Sequence, residues 1–221
     1  MSTVLIIGAS RGIGWQLAQQ YAEAGERVIA TARDDAALAR LRSIGAAALR
    51  VDVADAASIS GLAWQLDGEK IDIALYVAGV TRHGDATQPP TREAFDTVMH
   101  ANVLGAMQAI PQVAPLLASG GRFGFVSSVM GRIATVDNSR AWVYRTSKAA
   151  LNMAVASAQS AWPNAIMVCL HPGWVQTDMG GGAAPVTPEA SASGLRRVMA
   201  ALTPADRGAY IQYDGQRFDT W

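Results

Sequence analysis

The sequence predicts an α/β fold: one doubly wound parallel sheet of about seven strands with helices on both faces. Three observations lead there. Short β-branched runs alternate with helix-period segments along the whole chain. Those runs lack polar alternation, as strands covered on both faces do. At 221 residues, 50% apolar and 16% charged, the chain suits one well-cored globular domain spanning residues 1–221, with no linker, repeat or low-complexity stretch.

Strands are expected at "TVLIIG" (3–8), "RVIAT" (27–31), "AALRVD" (47–52), "IDIALYVAG" (71–79), "GRFGFVSS" (121–128), "AIMVCL" (165–170) and "AYIQY" (209–213). Between the first two, Ile13, Leu17 and Tyr21 recur at helical spacing and Gly25 suits a C-cap. Phe95, Met99, Val103, Met107, Ile110, Val113 and Leu117 mark a longer helix, which Pro111 and Pro115 should kink or end. An alanine-rich helix is expected over 141–162, stopped by Pro163.

Composition excludes several classes. Eighteen basic residues balance eighteen acidic ones with no basic run, so neither nucleic acid nor an anionic membrane surface is an expected partner. The longest apolar runs are strand-sized. Cys169 is alone, and His83, His100 and His171 are scattered, so neither a disulfide framework nor a metal site is expected. The chain runs from Met1 into "VLIIG" without a leader-like segment, and a cytoplasmic protein is the expectation.

Ligands of such sheets bind beyond the carboxyl ends of the strands. "IIGASRGIGWQLAQ" places Gly8, Gly12 and Gly14 in the first strand-to-helix turn, with Ser10, Arg11 and Ile13 between them. Glycines there let the backbone turn tightly and approach a pyrophosphate, which the helix N-terminus attracts. The spacing is G-x-x-x-G-x-G rather than the commoner G-x-G-x-x-G. Arg33 follows the second strand, and with Arg11 it offers guanidinium groups for a 2′-phosphate, so NADP(H) is expected over NAD(H). Asp34 and Asp35 compete as a ribose-binding acid, but suit the start of the next helix better.

In "YRTSKAALN", Tyr144 and Lys148 lie four apart and share a helix face. A free phenol titrates near 10, and lowering it three units takes about 4 kcal/mol. A charge about 4 Å away supplies about that much at an effective dielectric near 20, and about two-thirds of it at about 6 Å. The pair therefore suits a tyrosine acid/base tuned by an ammonium.

Taken in order, "GASRGIG", "RVDVAD", the "AG" of Ala78–Gly79, "ANV" around Asn102, "VSSVMG", "YRTSKAALN" and "HPGWVQTDM" resemble the short-chain dehydrogenase/reductase family across nearly the whole chain. The tyrosine segment, the short substrate loop and "YIQYDG" look most like its C-factor-like branch. The resemblance implies a Rossmann-like fold and a carbonyl/alcohol oxidoreductase. In it Ser128 holds the substrate oxygen, Tyr144 passes the proton, Lys148 lowers the phenol pKa and binds the nicotinamide ribose, and Asn102 keeps a water in the relay. It also implies Asp52 and Val53 at the adenine, Gly79 at the adjoining ribose, Thr177 at the carboxamide, and Ala78, Pro172, Gly173 and Val175 in the cofactor-binding set. Two departures stand out. Tyr76 and Val77 replace the family's usual asparagines, removing a side-chain brace of the sheet. Sixteen positions separate Ser128 from Tyr144, a longer interval than usual, which should enlarge a loop near the substrate.

Met130, Ile133, Trp142, Trp174 and Met179 are candidate pocket walls for an apolar or aromatic carbonyl or alcohol, with 180–188 as a lid and His83 the one histidine worth testing. Small residues Ala149, Ala150, Ala154, Ala156 and Ala158 would let the two long helices pack across a homodimer axis. The alternative function is a nucleotide-binding signalling or regulatory protein with weak or no catalysis. A serine hydrolase fits poorly, because neither Ser127 nor Ser128 sits in G-x-S-x-G.

Overall fold

The computed structural model describes residues 1–221. Its centre is one parallel sheet of seven strands in the order β3-β2-β1-β4-β5-β6-β7. The strands are β1 (Thr3–Ile7), β2 (Arg27–Ala32), β3 (Ala47–Arg50), β4 (Ile71–Tyr76), β5 (Leu117–Val126), β6 (Ile166–His171) and β7 (Tyr210–Gln212). Each overlaps an expected run. The order reverses between β1 and β4, so a crevice opens beyond their carboxyl ends.

Two apolar layers cover the sheet. On one face α1 (Gly12–Glu23), α2 (Asp35–Ser43) and α8 (Pro188–Ala201) bury Leu17, Leu38, Leu195 and Met199 against Val4, Ile6 and Val168. On the other lie α3 (Ala56–Ser60), α4 (Leu62–Gln65), α5 (Arg92–Met99), α6 (Gly105–Val113) and α7 (Trp142–Ala161). These pack Ile110, Val113, Leu151 and Val155 against Leu5, Ile7, Phe123 and Phe125. Side chains alternate between the two layers along every strand, which explains the continuously apolar runs.

One helix differs from expectation. The helix expected to run from Phe95 to Leu117 is broken at its middle by a π-helical turn, His100–Leu104, between α5 and α6. Pro111 is tolerated inside α6, and the segment ends just after Pro115 in a 3-10 turn, Ala114–Leu116. Helix α7 matches its expected span within one residue at each end. Ala141 precedes it in the left-handed region (φ 53°), its N–H donating to the Gly84 carbonyl at 2.7 Å. No helix is long and apolar enough to cross a membrane.

Candidate active site

A cavity of about 910 Å³ lies along the carboxyl ends of the strands. Its walls include Gly8, Ser10, Arg11, Gly12, Ile13 and Gly14 from the first turn, and Arg33, Asp52, Val53, Ala78 and Gly79 from the next strand ends. Ser128, Tyr144, Lys148, Pro172, Gly173, Val175 and Thr177 complete the expected set. One expected residue, Asn102, stands behind the wall.

The glycine turn is built for close approach. A Cβ on Gly8 (φ +93°) would stand 2.6 Å from the Ala78 nitrogen, and one on Gly14 would stand 2.1 Å from the Gly8 carbonyl oxygen. Gly8 N–H donates to Thr31 Oγ1 at 3.0 Å, a partner the sequence did not single out. Helix α1 starts at Gly12 with no side-chain cap, so its first amides are open to an anion. The cradle, the uncapped helix and a volume near the upper end of about 300–1,000 Å³ for small-molecule sites fit a dinucleotide.

Arg33 Nη1 is 3.8 Å from Asp52 Oδ2, and Arg11 pairs with Asp178 at 2.6 Å. All four groups are substantially exposed, so each pair contributes only about 0–1 kcal/mol. Asp34 caps α2, accepting from the Ala37 N–H at 2.8 Å, and Asp35 pairs with Arg50. The acids after β2 thus serve helix and surface, as their positions implied.

Tyr144 and Lys148 rise from α7, both buried. The Lys148 ammonium donates to the Val126 carbonyl at 2.8 Å and lies 5.7 Å from the Tyr144 ring centroid. Burial lowers the Lys148 pKa to about 8, opposed by the Cys169 thiol beside it. Burial also lifts the Tyr144 phenol to about 12, opposed by the Ser128 hydroxyl. Burial is the larger influence on the phenol, which is protonated at neutral pH.

Ser128 ends the strand-to-turn passage after β5, its Oγ accepting from the Met130 N–H at 3.2 Å. Ser127 donates to Asn152 Oδ1 at 2.6 Å, a structural contact. Asn102 is wholly buried in the π turn. Its Oδ1 accepts from the Val80 N–H at 2.7 Å, and its Nδ2 donates to the Val80 carbonyl and to Ser147 Oγ, each at 2.9 Å. Both amide protons are engaged, so the side chain positions Val80, on the cavity wall, and Ser147, on α7.

Tyr76 supplies a brace where asparagine was expected. Its hydroxyl donates to the Ala101 carbonyl at 2.7 Å, inside the π turn. Gly105 makes room: a Cβ there would stand 2.5 Å from the Tyr76 hydroxyl.

Of the expected substrate walls, Met130, Trp174 and Met179 line the cavity, as does His83, whereas Ile133 and Trp142 do not. Ile133 is 74% exposed, and Trp142 opens α7 half-buried outside the lining. The segment 180–188 bonds to the preceding turn at two points: Gln176 N–H donates to the Val186 carbonyl at 2.8 Å, and Trp174 Nε1 to the Gly180 carbonyl at 2.8 Å. His171, which the sequence placed among three scattered histidines, lines the cavity and accepts the Val129 N–H on Nδ1 at 3.4 Å. Burial pulls its pKa down to about 4, with Asp214 opposing and Arg132 adding to the fall.

A family model described as short chain dehydrogenase matches residues 2–185. Over 97% of this chain and 98% of the relative, identity is 33% to 1-hydroxy-2-glutathionyl-2-methyl-3-butene dehydrogenase of Rhodococcus sp. (strain AD45). C-signal of Myxococcus xanthus is 41% identical over 118 residues, 52% of this chain and 71% of the relative. The crystal structure of an NADPH-bound carbonyl reductase from chicken fatty liver superposes with a TM-score of 0.91 at 27% identity, covering 100% of this chain and 99% of that one. The chain belongs to the short-chain dehydrogenase/reductase family, oxidoreductases that act on small molecules with a nicotinamide cofactor.

Proposed function

We propose that the protein, acting as one domain over residues 1–221, is an NADP(H)-dependent reductase of apolar or aromatic carbonyl compounds. The observation that carries this is the meeting of Tyr144, Lys148 and Ser128 on the wall of the cavity that holds the glycine turn. A bound reduced nicotinamide supplies the hydride to the carbonyl carbon. The chain's task is then to orient the carbonyl and deliver a proton to its oxygen.

Ser128 holds that oxygen by a hydrogen bond. Tyr144, protonated because its phenol is buried, donates the proton and becomes a phenolate. Lys148 offsets the new negative charge and contacts the nicotinamide ribose. Asn102 positions the wall beside them and, with its turn, serves the proton relay. Gly8, Ser10, Gly12, Ile13 and Gly14 cradle the pyrophosphate. Asp52 and Val53 take the adenine, Ala78 and Gly79 the adjoining ribose, and Pro172, Gly173, Val175 and Thr177 the nicotinamide end. Arg11 and Arg33 grip a 2′-phosphate, which favours NADP over NAD. Met130, Trp174 and Met179 give the substrate side its apolar character. A protonated donor suits the reductive direction at neutral pH.

The chain also works as a homodimer in this reading. Val103, Met107, Ile110, Ala150, Met153, Ala154 and Ala158 line an apolar groove of about 550 Å³ between α6 and α7, with Met107 and Met153 more than half exposed. A second copy of the same face would cover it. A cytoplasmic setting accords with the unpaired Cys169.

The test is NADPH oxidation with a panel of aldehydes, ketones and diketones. Turnover of at least one apolar carbonyl compound is expected; absence of turnover across the panel overturns the reading as a reductase of such compounds. A second reading, a nucleotide-binding regulatory protein with weak catalysis, is favoured by the likeness to C-signal. It gains if a biological effect survives loss of turnover.

A further inference from the structure

The interval between Ser128 and Tyr144 is held from outside by the segment after β7. Arg132 ends the 3-10 turn (Val129–Gly131) that follows Ser128. Its Nε donates to the Thr220 carbonyl at 3.1 Å, its Nη2 to Thr220 Oγ1 at 2.5 Å, and its guanidinium covers the Phe218 ring at 4.5 Å. The Ala134 N–H donates to the Trp221 carbonyl at 3.0 Å. Phe218 and Trp221 in turn rest on the buried Tyr210 of β7, at centroid distances of 4.7 and 5.6 Å. The far side of the turn is equally constrained. A Cβ on Gly131 would stand 2.7 Å from the Lys148 backbone, so the turn sits directly on α7.

We propose that Arg132, Phe218 and Thr220 form a clasp that sets the position of Ser128 and Met130, making Arg132 a positioning and specificity-determining residue. Met130 and Ala141, which bound the clasped segment, both line the cavity, while 132–140 are otherwise mostly exposed. Without the clasp the segment is free to move, and the substrate wall moves with it. The glycine turn and the Arg33–Asp52 end of the cofactor cradle are built from other strand ends and are untouched. The inference deepens the reductase reading and rests on it for its catalytic consequence.

The test uses the full chain carrying Arg132→Met, Thr220→Val or Arg132→Lys. Hydrogen exchange is followed at the amides of Gly131, Arg132 and Ala134, and KM is measured for NADPH and for two carbonyl compounds of different bulk. Arg132→Met and Thr220→Val should exchange there at least tenfold faster than wild type, with α1 unchanged. KM for the carbonyl compounds should rise fivefold or more, their selectivity ratio should fall toward one, and KM for NADPH should stay within twofold. Arg132→Lys, which keeps the cation over Phe218, should fall between. Thr220→Val carries the test if Arg132→Met does not fold. Unchanged exchange in the variants overturns the clasp, as does an equal rise in both KM values. A wild type without turnover overturns the reductase reading instead, and the exchange result still decides the clasp.

Discussion

The Lys148 ammonium lies 5.7 Å from the centre of the Tyr144 ring, anchored by its bond to the Val126 carbonyl. Burial holds the Tyr144 phenol up at about 12. The arrangement suits a proton donor whose conjugate base is stabilised only once it forms, which is where stabilisation accelerates a reaction.

The Tyr76 bond to the Ala101 carbonyl should matter to both stability and rate. Tyr76→Phe removes one buried hydrogen bond and leaves the carbonyl unsatisfied, a loss of about 1–3 kcal/mol in chemical denaturation. Because that carbonyl belongs to the turn carrying Asn102, kcat should fall severalfold while KM for NADPH holds. A variant matching wild type in both would show that the brace is idle.

Arg33 should discriminate between cofactors. Arg33→Gln removes a charge-assisted contact of about 1.5–3 kcal/mol, so KM for NADPH should rise about tenfold or more. KM for NADH should stay within twofold. Equal changes for the two cofactors would place Arg33 away from the 2′-phosphate.

His171 should give the protein an acid-side dependence of stability. Its pKa is about 4 in the fold against an ordinary value of 6.5, so between those limits the unfolded chain binds the extra proton. Stability therefore rises with pH across that window and is lost as pH falls through it. The contribution is about 3 kcal/mol in all. His171→Asn, which retains an acceptor for the Val129 N–H, should lose less stability than wild type between pH 7 and pH 4, by about that amount. Parallel stability curves would contradict the assignment.

Met153, 68% exposed in the apolar groove, should report on assembly. Met153→Glu places a charge on that face and should convert a dimer into a monomer in sedimentation at micromolar concentration. A wild-type monomer under those conditions ends the dimer proposal.

Local signals made most of the fold legible in the sequence. Every strand overlapped a short apolar run, and the cradle was visible because positive φ and close backbone contact demand glycine at Gly8 and bar a side chain at Gly14. Helix α8 went unremarked, although Thr187, which caps Ala190, and Pro188 at its first position were visible signs of a start. What sequence could not show depends on distant partners. Tyr76 reads as a substitution that removes a brace until its hydroxyl is seen on Ala101, and Arg132 reads as loop until Thr220 is found beside it. The depth of Tyr144 has the same origin: helical spacing placed the ammonium near the phenol, but the desolvation that raises its pKa comes from the surrounding fold.

The most direct test of the account is steady-state NADPH consumption by Tyr144→Phe, read beside NADPH binding by fluorescence titration. Loss of the proton donor should lower kcat with a carbonyl substrate by about a hundredfold or more, with NADPH affinity within twofold of wild type. Turnover within threefold of wild type would contradict the assignment of Tyr144 as the proton donor.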